Sequence, residues 1–215
     1  MKAILKNNLS FLLPYFLFLA IGAVIIIVHS KAETHLSFNS FHNSFLDVLN
    51  TYATYLGDGV TATLLILMML AVKYRFFIIA ALSNIISALI TQGLKHFVFE
   101  DALRPKKFFE GIQQLYFVPG TENLYYNSFP SGHSTCAFAL YFSFALMIEN
   151  RFYKILLLIL ALLTGYSRIY LSQHFLEDVY AGSIIGVSTT FLVYYFVQKK
   201  EHNWMEGSIV NFFNK

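Results

Sequence analysis

Charged side chains are scarce in this sequence: Asp, Glu, Lys and Arg make up 13% of the 215 residues, about half of the ~25% usual in soluble domains. So little charge cannot coat a water-facing surface, which argues against a large soluble all-helical protein. Dense basic patches are also missing. The formal net charge is +3, spread over small groups, which excludes the electrostatic footprint of a nucleic-acid binder. There is one cysteine, Cys136, so no intramolecular disulfide can form. No Cys/His cluster has metal-ligand spacing. No repeat or low-complexity linker divides the chain, and its length suits a single domain, residues 1–215.

What is abundant is apolar. Hydrophobic residues reach 57%, with 14 Tyr and 23 Phe, as expected where aromatic rings anchor spans at the headgroup level. A crossing needs about 20 apolar residues. Six segments qualify, at residues 9–28, 61–72, 76–94, 135–148, 155–167 and 179–197. The second, fourth and fifth reach membrane length only with their neighbouring Tyr, Gly and Ser residues. Ser83, Asn84, Ser87, Thr91 and Gln92 predict a face of the third segment turned toward other helices. The expected fold is an all-α polytopic membrane helix bundle with six transmembrane helices.

Charge placement orients it. Lys2 and Lys6 precede the first segment, Lys73 and Arg75 fill the link after the second, Arg151 and Lys154 the link after the fourth, and Lys199 and Lys200 follow the sixth. With six crossings all four groups share one side, which the positive-inside rule makes cytoplasmic, along with the C-terminus. Residues 30–59, 96–132 and 168–178 then lie outside. The first apolar stretch exceeds the 7–15 residues of a signal-peptide core, so a retained span is expected, bent at Pro14.

Three segments assigned to the outer face carry chemistry. His174 and Asp178 are four apart, which on a helix places them on one face. A carboxylate there fixes the imidazole tautomer and leaves Nε2 free as a nucleophile. Arg168 can fork two phosphate oxygens. Pro130-Ser131-Gly132-His133 reads as a helix start, whose free N–H groups suit an anion, with His133 placed to protonate a leaving oxygen. Lys95 and Arg104-Pro105 add two cations that can neutralise a phosphoryl group. Taken singly, each segment also reads blandly, as an interfacial i,i+4 pair, a capped helix, and a snorkelling Lys with a loop Arg. Their convergence on one membrane face favours the chemical reading.

These residues resemble the type 2 phosphatidic acid phosphatase superfamily, which also includes the vanadium haloperoxidases. Its signature is Lys-x6-Arg-Pro, Pro-Ser-Gly-His and Ser-Arg-x5-His-x3-Asp. The second and third motifs are intact here. The first departs, because eight residues rather than six separate Lys95 from Arg104, with a longer turn expected near Glu100. The resemblance covers about residues 55–198. It implies that His174 attacks phosphorus, that Asp178 orients it, and that His133 serves as acid for the leaving group. Lys95, Arg104, Ser131, Gly132 and Arg168 would bind the phosphoryl oxygens. It also implies a phosphohistidine intermediate, no metal, no cofactor and a membrane lipid phosphate or pyrophosphate as partner. The expected location is a bacterial inner membrane, with the site facing the periplasm or exterior. The competing reading is a non-catalytic anionic-lipid-binding or transport protein.

Elsewhere, His29, His35, His42, His96 and His202 lack partners at an obvious spacing and are expected to be interfacial or solvated. Phe38, Phe41, Phe45, Val48 and Leu49 predict a short amphipathic helix on the outer leaflet. The tail from Glu201 predicts a second one on the cytoplasmic side. Asp58 is expected to cap the second span. The loop at residues 106–129 reads as an aromatic belt with basic neighbours.

Overall fold

The computed structural model describes the backbone of residues 2–213 and the side chains of residues 4–211. The Lys2 side chain and the last residues of the tail expected to be amphipathic lie outside that description. Among the described residues there is no β-strand. The α-helices run in the order α1 (Lys2–Asn7), α2 (Leu9–Val28), α3 (Lys31–Ser40), α4 (Ser44–Ala53), α5 (Gly59–Val72), α6 (Tyr74–Phe97), α7 (Pro105–Phe108), α8 (Gly132–Met147), α9 (Arg151–Tyr170), α10 (Leu176–Gln198) and α11 (Ile209–Phe213).

All six apolar segments are helical, apart from Ile148 at the end of the fourth. Four helices, α2, α6, α9 and α10, are long and apolar enough to cross a membrane. A fifth crossing results if α4 with the 3-10 turn after it and α5, bent by 51° at their junction, are one broken span. Helices α5 and α8 hold 14 and 16 residues, or ~21 and ~24 Å at ~1.5 Å per residue, against a hydrocarbon core of ~30 Å.

The shortness of α8 has a physical setting. No residue from Gly132 to Met147 is exposed, because α6, α9 and α10 pack around it. Most of its apolar residues meet protein, so its hydropathy largely reports burial inside the bundle. Close approach is achieved by glycine. A Cβ on Gly182 would stand 2.7 Å from the Ser131 carbonyl oxygen, and one on Gly186 2.6 Å from that of Thr135. The Gly-x3-Gly spacing puts both on one face of α10 and lets two backbones touch. Thr190 Oγ1 then donates to the Ala139 carbonyl, 3.2 Å across the same interface.

Helix α2 closes the core from the side. Phe11 packs on Phe142 at 4.9 Å between ring centroids, and Tyr15 on Phe138 at 5.8 Å. The helix continues through Pro14. The interruption falls earlier, at Asn8, between α1 and α2. There Lys154 Nζ donates to the Asn7 carbonyl at 2.7 Å and to Asn8 Oδ1 at 2.5 Å. Arg75 caps α10 by donating to the carbonyls of Val197 and Lys200, both at 3.0 Å, and pairs with Glu206 at 2.5 Å. The basic groups of the links thus bind chain ends at one pole of the bundle.

Three local expectations need correction. The expected amphipathic helix is two, α3 and α4, broken at residues 41–43 because Asn43 caps the second, accepting from Leu46 N at 2.9 Å. The tail forms a 3-10 turn at Asn203–Glu206 and the short α11. Asp58 occupies the N-cap position of α5, but its side chain makes no capping hydrogen bond.

Candidate active site

The opposite pole gathers the three sequence segments. Residues 171–175 join α9 to α10 in a tight turn, in which the Arg168 carbonyl accepts from Gln173 N at 3.0 Å and from His174 N at 3.1 Å. Ser172 sits in the left-handed region at φ 53°, a strained conformation for a residue with a side chain. Its hydroxyl is held from α3, by His35 Nε2 at 3.2 Å and Asn39 Nδ2 at 3.2 Å.

Of the expectation that His35 is interfacial or solvated and without a partner, the absence of a partner and the solvation are overturned. It is 1% exposed, stacked on Phe109 and edge-on to Phe175. Burial lowers its pKa to about 4. The sequence showed no partner because Ser172 lies far along the chain. His29, His96 and His202 are exposed, and exposed His42 stacks on Tyr116 at 3.8 Å.

His174 is 2% exposed. Its Nδ1 lies 3.2 Å from Asp178 Oδ2. That oxygen also accepts from Ser128 Oγ at 2.5 Å and from Phe175 N at 2.9 Å. A carboxylate with these donors places the imidazole proton on Nδ1 and leaves Nε2 with its lone pair. Among the described residues nothing hydrogen-bonds Nε2. Burial, then the charges of Arg104, Arg168, Lys95 and His133, press the His174 pKa well below the ordinary histidine value. The ring is therefore neutral, as a nucleophile requires.

The cations close around it. Lys95, at the end of α6, donates to the Asn127 carbonyl at 2.7 Å, and Arg104 Nη2 approaches the same oxygen at 3.4 Å. The long first motif is absorbed by a turn in which Ala102 N bonds the Phe99 carbonyl at 3.1 Å, so both cations reach one place. Arg104 also donates from Nε to the Tyr126 carbonyl at 2.9 Å and from Nη1 to the Gln173 carbonyl at 3.1 Å. Arg168, 9% exposed, donates from Nη1 to Thr54 Oγ1 at 2.6 Å.

Ser131 is the N-cap of α8, accepting from Ser134 N at 3.4 Å, and its own N–H donates to the Asp178 carbonyl at 2.9 Å. That bond locks the second segment to the third. A Cβ on Gly132 would point into open space. His133 stands in the first turn of α8 and, with Gly132, ends a groove of about 530 Å³ between α5 and α6. Small residues carve this groove, including Gly59, Ala62, Ala81 and Ala88. All eight sequence-identified residues thus lie at one pole. Sequence reasoning missed Ser128, Asn127, Gln173 and Thr54, which lie outside the fixed motif letters and act through contacts distant in sequence. Among the described residues no three His, Cys, Asp or Glu side chains form a metal-ligating group.

Two solved structures share the architecture. The crystal structure of Aquifex aeolicus LpxE superposes with a TM-score of 0.68 at 26% identity, covering 75% of this chain and 93% of that one. A transmembrane PAP2 type phosphatidylglycerolphosphate phosphatase from Bacillus subtilis gives 0.65 at 26% identity, covering 89% and 98%. Among curated proteins, undecaprenyl-diphosphatase BcrC of Bacillus subtilis strain 168 is 39% identical over 69 residues, 32% of this chain and 35% of that protein. The match therefore spans about a third of that relative's length. The PAP2 superfamily model matches residues 76–202, more than half of the sequence and all three motifs. The chain belongs to the PAP2 superfamily.

Proposed function

We propose that this protein is an integral-membrane phosphatase that removes phosphate from a lipid phosphate or lipid pyrophosphate through a phosphohistidine. The observation that carries the reading is the buried, neutral His174, bound through Nδ1 to Asp178 at 3.2 Å beside three cations. His174 Nε2 attacks phosphorus, forming an N–P bond as the bond to the leaving oxygen breaks. His133 delivers a proton to that oxygen. Lys95, Arg104, Arg168 and the N–H groups at the start of α8 hold the phosphoryl oxygens as charge develops. A water then attacks the phosphohistidine, gives its proton to His133, and releases orthophosphate with His174 regenerated.

The groove between α5 and α6 leads from His133 past Ala62, Ile66, Leu67 and Ile85, with Asn84, Ser87 and Thr91 among its polar side chains, which suits the hydrocarbon chain of a substrate whose phosphate reaches the pole. Two of the relatives are named for lipid-type substrates, as an undecaprenyl-diphosphatase and a phosphatidylglycerolphosphate phosphatase, and undecaprenyl pyrophosphate, phosphatidylglycerol phosphate, phosphatidic acid and lipid A phosphates are the classes to test. In this reading α5 and α8 complete six crossings. The pole holding Arg75 and Lys154 then faces the cytoplasm, and the catalytic pole faces the periplasm or exterior. The test is orthophosphate release by purified protein in detergent and EDTA from that panel, beside His174→Ala. Release by the wild type alone supports the reading. No release from any lipid sinks it.

A further inference from the structure

Gln173, the residue before the proposed nucleophile, is 6% exposed and belongs to none of the fixed motif positions. Its amide nitrogen donates to the Glu122 carbonyl at 2.6 Å and to Asn123 Oδ1 at 2.7 Å. Two acceptors on that side fix which end of the amide is which. Oε1 must therefore face the other way, where Arg104 Nη1 and Arg168 Nη2 each approach it at 3.4 Å. One neutral oxygen stands between two buried guanidiniums that would otherwise repel each other.

We infer that Gln173 is a positioning residue that sets the spacing of Arg104 and Arg168 for a phosphoryl group, and that an amide is required there. The inference rests on reading this site as a phosphoryl cradle. A carboxylate would fit the same volume and fail twice. One of its oxygens would face Glu122 O and Asn123 Oδ1, acceptor against acceptor. The other would neutralise the arginines and repel the incoming phosphate. An apolar side chain would leave the guanidiniums without their shared acceptor. The contact also ties the loop at residues 122–123 to the cradle, so that loop and both arginines are placed by one side chain.

The experiment compares wild type, Q173E and Q173M. It measures the dissociation constant of inorganic orthophosphate by calorimetry and, separately, KM and kcat for a lipid phosphate. Both variants are expected to weaken orthophosphate roughly ten- to hundredfold, with KM rising more than kcat falls. For Q173E the deficit relative to wild type narrows as pH falls. A protonated carboxyl donates to Glu122 O and accepts from the arginines, as the amide does. Q173M has no such recovery. A merely structural role would not produce this pH-dependent difference. Orthophosphate affinity equal to wild type in folded variants, or a Q173E deficit constant with pH, would overturn the inference. If Q173E does not fold, N123A removes one acceptor that orients the amide and should weaken orthophosphate less than Q173M does. Unchanged affinity in folded N123A and Q173M is then the overturning result. Calorimetry needs no turnover, so wild-type protein that binds orthophosphate but releases none from lipids would count against the phosphatase reading alone.

Discussion

Ser128 Oγ donates to Asp178 Oδ2 at 2.5 Å while standing 3.5 Å from His174 Nδ1. The serine anchors the carboxylate that orients the proposed nucleophile, from a loop that belongs to no motif. Removing it leaves Asp178 with His174 and Phe175 N, so S128A should lower kcat roughly two- to tenfold, the worth of one ordinary hydrogen bond. D178N keeps the shape but removes the charge that holds the tautomer, and should cost roughly 10²- to 10⁴-fold. Steady-state rates on one lipid phosphate check both. An S128A loss as large as that of D178N would contradict this ranking.

The depressed pKa of His174 sets the acidic limb of activity. In the proposed mechanism neutral His174 is the reactive form, so on its acidic side kcat/KM should hold below pH ~6.5, the ordinary histidine value, before falling. R104Q removes one of the cations that depress it, and the limb should move up in pH whatever happens to the absolute rate. A limb at the ordinary value in the wild type would contradict the burial argument.

Stability follows the same groups with a definite sign. His35, lowered to about 4, and His174 are neutral in the native state at pH values where the unfolded chain binds protons. Stability is therefore full above pH ~6.5 and is lost as pH falls toward the folded-state values. Thermal unfolding in detergent should show Tm declining through that window. H35Q keeps a donor for Ser172 without the titration and should flatten the decline. An unchanged slope would assign the acid sensitivity elsewhere.

Glycine contacts predict stability without reference to chemistry. G182A and G186A drive a Cβ to 2.7 and 2.6 Å from the backbone oxygens of Ser131, the N-cap of α8, and of Thr135 within it, and should cost about 1–3 kcal/mol each through overpacking. G59A points into open space and should leave Tm unchanged. Equal Tm values for all three would mean that α8 and α10 do not meet as described.

The groove makes a claim about chain length. Ala88 lines it and His174 does not, so A88W should block a long-chain lipid phosphate while sparing a small soluble phosphomonoester. Paired kcat/KM values check this. Equal loss on both substrates would place the hydrocarbon chain elsewhere.

Sequence legibility followed how locally each feature is encoded. The His174–Asp178 pair and the start of α8 were readable because four-residue spacing and capping are local. The apolar segments were readable as helices, but hydropathy cannot distinguish lipid contact from protein contact, and α8 has mostly the latter. Contacts between distant segments left no trace. His35 meets Ser172 across 137 residues and Arg168 meets Thr54 across 114. Gln173 occupies a variable position of its motif, where only the tertiary fold reveals its two arginines. Gly182 and Gly186 carried a visible small-x3-small signal that composition and hydropathy alone pass over.

Helix α8 has no exposed residue and carries His133 at its end. Variation in bilayer thickness acts on helices that touch lipid, by tilting them or drawing their ends inward. Here that strain falls first on the outer helices, while His133, the acid of the proposed mechanism, rides on a column that they largely enclose. The spacing of His133 from Arg104 and Arg168 is thereby set by packing inside the bundle, and the proposed chemistry should run alike in thin and thick membranes.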